Sequence, residues 1–64
     1  MKYSDAVALC VQIISMIKSL NPAHPDPWVP QVRNVIASAQ KDYGVTPLQM
    51  EKDVATALAK LEAA

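Results

Sequence analysis

Sixty-four residues, 52% of them apolar and 19% charged, with six Lys+Arg against six Asp+Glu, make at most one small domain of zero formal net charge. That balance excludes the broad, non-specific attraction to nucleic acid or anionic lipid that a basic chain would have. A lone cysteine, Cys10, and a lone histidine, His24, exclude an intrachain disulfide and an ordinary zinc set, so neither a metal nor another cofactor is expected.

The first predicted helix runs from about Ser4, as N-cap with Asp5 in the first turn, to Leu20. It stops where Asn21 precedes Pro22, because a residue before proline is pushed out of the α region. Residues 6–17, AVALCVQIISMI, are apolar enough to suggest a secretory or membrane segment. They number fewer than the roughly 20 residues a span needs, contain Gln12 and Ser15, and lead into no small-x-small cleavage site. The expectation is therefore no membrane partner. An unpaired cysteine suits a reducing cytoplasm.

The segment NPAHPDP, with Pro22, Pro25 and Pro27, predicts a stiff, extended first connection. A second helix over about 28–43 follows, with its start between Asp26 and Pro30 and its end before Gly44, the natural left-handed residue past a C-terminus. Gly44-Val45 forms a tight second corner. Thr46-Pro47-Leu48-Gln49 then reads as N-cap, N1 proline and capping-box Gln, stapled by Val45 and Met50, and opens a third helix over about 47–62. With one glycine in the chain and hence little hairpin vocabulary, the expected fold is all-α: a single domain over residues 1–64, built as a compact three-helix bundle.

Helical periodicity gathers Trp28, Val29, Val32, Val35, Ile36, Ala39 and Tyr43 into an arc of about 120° on the second helix. Met50, Val54, Ala57, Leu58 and Leu61 make a narrower one on the third. The first helix carries two adjoining stripes: Ala6, Leu9, Ile13, Met16 and Leu20, and beside it Val7, Cys10, Ile14 and Ile17, together spanning about 180°. A large apolar patch facing water is uncommon on soluble monomers, and so short a chain has neither disulfide nor metal to brace it. The second stripe, Val7, Cys10, Ile14 and Ile17, is therefore expected to be an intermolecular surface, with a homodimer as the simplest closure. Trp28, beside the stiff connection, is either the largest plug of the core or an additional binding anchor.

Catalytic chemistry finds little to work with. His24 and Asp26 are the minimum of an acid/base pair, but no nucleophile stands near them in sequence, and Cys10 sits among apolar residues that favour an inert thiol. No catalytic residue is assigned. Pro22 to Pro25 and Pro27 to Pro30 fit P-x-x-P spacing, which a rigid connection between helices explains as well. The second and third helices could form a helix-turn-helix that presents Gln49, Lys52, Thr56 and Lys60 to DNA. Against it, Gln40 occupies the position where a small residue is usual, and residues 44–64 hold Lys52 and Lys60 against Glu51, Asp53 and Glu62, a net of −1. The sequence thus predicts a non-enzymatic protein-binding module, a small adaptor, modulator or inhibitor that self-associates through its first helix. A DNA-binding regulator and a structural oligomer subunit are the alternatives.

Overall fold

A computed structural model describes residues 2–23 and 28–63. Four helices account for most of them: α1 (Tyr3–Leu20), α2 (Pro30–Ala37), α3 (Ala39–Tyr43) and α4 (Pro47–Ala63), and no strand is present among the described residues. The all-α class holds. His24, Pro25, Asp26 and Pro27, and with them the His24–Asp26 pair and the P-x-x-P spacings, lie outside the described residues.

The N-cap of α1 lies two residues earlier than its sequence suggests, at Lys2 rather than Ser4. Lys2 donates its backbone N–H to the Asp5 carboxylate at 3.4 Å, the N3 half of a capping box, while the lysine side chain offers no acceptor for the N–H groups of the first turn. The other end follows the proline rule. Asn21 leaves the helix at φ −143°, ψ 79°, and its N–H closes the last turn on the Ile17 carbonyl at 2.8 Å.

The expected second helix is two helices. Its start is Pro30 at N1 rather than residue 28, with Val29 extended before it, and it breaks at Ser38, which sits at φ −87°, ψ −3°. The ladder resumes at once, because the Asp42 N–H bonds the Ser38 carbonyl at 2.9 Å. Val29, Val32, Ile36 and Ala39 stay buried on both sides of the break, so the apolar row is not turned outward. Gly44 then takes the left-handed conformation at φ 69°, ψ 22°, and Thr46 Oγ1 accepts the Gln49 N–H at 3.2 Å as the N-cap of α4. The capping box is only half formed. The Gln49 amide turns instead to Asp53, at 2.9 Å.

Two cross-links set the direction of packing. Tyr3 at the start of α1 donates its hydroxyl to Asp53 of α4, and Lys18 near the end of α1 pairs with Glu62 near the end of α4, so these two helices run the same way. Tyr43 at the end of α3 meets Tyr3 with ring centroids 6.0 Å apart and planes tilted by 60°, so α2 and α3 return in the opposite sense. Between them lies a core of Ala6, Cys10, Val11, Ile14, Val29, Val32, Ile36, Ala39, Met50 and Val54.

Candidate functional site

α1 has more apolar surface than the bundle can cover, and the structure shows which part is left over. Of the stripe expected to face another chain, Cys10 and Ile14 are 0% and 1% exposed, and Val7 and Ile17 are half-buried against the core. That stripe is covered within the protomer, mainly because α4 lies along it from Tyr3 to Lys18. The other stripe is divided between core and surface, with Ile13 packed against the core. Ala6 is buried, Leu9 and Ile13 are half-buried, and Met16 and Leu20 are 56% and 79% exposed. Both stripes thus contribute to the core, and the apolar side chains of α1 left exposed are Met16 and Leu20.

The outer row is chemically plain. Residues 6–17 carry no charge, and beyond the row the solvent-facing side of α1 presents Asp5, Gln12 and Ser19. The Lys18–Glu62 pair draws the last turns of α1 and α4 together, so Leu61, 54% exposed, lies at the same end of the bundle as Leu20. Leu48, also exposed, belongs to the opposite end of α4. By length and composition alone α1 could also cross a membrane, yet Ala6, Cys10, Val11 and Ile14 are committed to the core.

Trp28 takes a double position. It is half-buried against the core, and it walls a groove of about 430 Å³ with Arg33, Ile36, Ala37, Pro47 and Glu51, between α2 and the first turns of α4. The floor is apolar and the rim carries one charge of each sign.

The residues of the alternative DNA-reading face all lie on the exposed side of α4: Gln49, Lys52, Thr56 and Lys60. Gln49 is engaged by Asp53, which puts a carboxylate at the edge of that face. No basic cluster gathers around Lys52 and Lys60 on α4, since Glu51, Asp53 and Glu62 share the helix.

Reactive groups are muted. Burial pushes the Cys10 thiol up from its ordinary value, which keeps it protonated and unreactive. No group of three or more His, Cys, Asp and Glu residues able to hold a metal occurs among the described residues. The polar assembly that sequence spacing missed is Tyr3–Asp53–Gln49. Burial first, then the hydrogen bond to Asp53 and the negative charge of that carboxylate, push the Tyr3 hydroxyl up to about 12. Fifty positions separate Tyr3 from Asp53, and no local pattern announces such a pair. No family model matches the chain, and no curated protein or solved structure matches it either.

Proposed function

We propose that the chain is a non-enzymatic protein-binding module, an adaptor, modulator or inhibitor, that works through the outer face of α1. A single observation carries this reading: Met16 and Leu20 are exposed on one flank of α1, next to a half-buried Leu9 and Ile13, in a chain too short to expose apolar area at no cost to its stability. The muted Cys10 thiol favours binding over catalysis. A lone buried thiol also suits a reducing cytoplasm, which we take as its place of action.

The test is photo-crosslinking in an extract of the source cells, with a photoreactive residue at position 16 and a control at position 56 on the exposed side of α4. Protein adducts from position 16 and none from position 56 are expected. Adducts absent from position 16, or equal from both positions, would remove α1 as the working surface.

A further inference from the structure

We propose that Met16 is a site of reversible oxidation by peroxides, and that its sulfoxide switches off the exposed flank of α1 as a binding surface. The inference rests on the reading of that flank as protein-binding, and adds its regulation. Of the described sulfur-bearing residues, Cys10 and Met50 are 0% exposed, whereas Met16 is 56% exposed. Met1 lies outside the described residues. Accessibility and chemical form decide which sulfur an oxidant reaches. A thiol reacts as its thiolate, and burial pushes the Cys10 thiol up, so that group is both covered and protonated. A thioether needs no ionisation. Met16 is therefore the described sulfur that a peroxide meets at neutral pH, and it stands on one row of α1 with Ile13 and Leu20.

The step balances without help from any other group of the chain. A lone pair on Met16 Sδ forms a bond to one oxygen of hydrogen peroxide and the O–O bond breaks. The departing hydroxide takes the proton of the transferred oxygen and leaves as water, so the sulfur is oxidised and the peroxide reduced. An apolar thioether becomes a polar sulfoxide between Ile13 and Leu20. Water solvates the new oxygen at an exposed position, so the fold survives there. At Met50 the same oxygen would enter a core that holds no buried polar or charged residue, among the described residues, to receive it. The chain thus covers the described sulfurs it folds with and presents one on the flank it binds with. A methionine sulfoxide reductase, given a thiol reductant, restores the thioether.

The test takes the full chain with a photoreactive residue at position 20, treats it with hydrogen peroxide, removes the peroxide, and crosslinks it in a desalted extract of the source cells. Peptide mapping should find one added oxygen on Met16 and none on Cys10 or Met50, with helical circular dichroism retained. The protein adducts of the untreated chain should be lost on oxidation and should return after reduction by a methionine sulfoxide reductase with dithiothreitol. Met16→Leu should keep its adducts through the same treatment, and Met16→Gln, which puts a polar group on a side chain of similar length, should lack them without it. Oxidation of Met50 alongside Met16, or unfolding of the oxidised chain, would overturn the proposal. Loss of adducts from oxidised Met16→Leu would also overturn it, since the sensitive group would then lie elsewhere. Adducts equal before and after oxidation of Met16 would overturn the switch and leave the binding reading standing. An untreated chain that gives no adducts would overturn both.

Discussion

At Gly44 the requirement for glycine is conformational and nothing else. Its φ of 69° is costly for an L side chain, while a Cβ added there meets no atom within 4 Å. Gly44→Ala should therefore destabilise by about 1 kcal/mol through backbone strain alone, and Gly44→Asn by less, as chemical denaturation will show. Two residues on, Thr46→Ala should cost about 1 kcal/mol by removing the acceptor of the Gln49 N–H. Tyr3 makes a prediction in pH. Its hydroxyl is held protonated up to about 12, against 10.0 in the unfolded chain, so the folded state holds more protons than the unfolded state between those values. The contribution is complete below pH 10 and is lost as pH rises towards 12. Stability measured across that window should fall less steeply in Tyr3→Phe, which at neutral pH should cost about 1 kcal/mol for the bond to Asp53. Unchanged alkaline stability in the variant would show that the Tyr3–Asp53 bond is not held in solution. Glycine and threonine declare their roles in the sequence because each solves a local backbone problem. Tyr3 does not, because its partner is brought by the packing of α4.

The same division between local and tertiary causes appears among the helices. The stop at Asn21-Pro22, the left-handed Gly44 and the start at Thr46-Pro47 are legible because φ/ψ restrictions and orphan N–H groups act within a few residues. The break at Ser38 is not, since Ala37-Ser38-Ala39 are all compatible with a helix interior and no proline or glycine marks the site. What accompanies it is tertiary: Val29, Val32, Ile36 and Ala39 are buried on both sides of the break, and Tyr43 beyond it meets Tyr3. Ser38→Ala is accordingly expected to keep the break and to change stability by less than about 0.5 kcal/mol. Backbone chemical shifts showing an unbroken helix from 30 to 43 in the variant would place the cause in the serine itself. The Lys18–Glu62 pair, with each side chain about half exposed, orients the ends of α1 and α4 more than it stabilises them, and is worth less than about 1 kcal/mol.

For the whole molecule, periodicity identifies an apolar arc on α1 wider than a surface helix needs, and in the structure α1 packs against both α4 and α2 with residues of both stripes, leaving Met16 and Leu20 exposed. Periodicity does not say which side chains of the arc stay exposed, because helices at either side of α1 satisfy the same spacing. Packing decides: α4 runs parallel to α1, tied at Tyr3 and Lys18, and that places Cys10 and Ile14 in the core while Met16 and Leu20 face water. A pair of substitutions two residues apart tests this placement directly. Ile14→Lys introduces an unpaired charge at a site 1% exposed, with a cost of several kcal/mol, on the scale of the entire stability of so small a domain. Circular dichroism should find it largely unfolded. Met16→Lys adds the same charge on the outer row and should melt within a few degrees of the wild-type chain when both are compared as dilute monomers. Were Ile14→Lys to remain folded while Met16→Lys unfolded, the flanks of α1 would be exchanged, and the face offered to a partner would return to Val7, Cys10, Ile14 and Ile17.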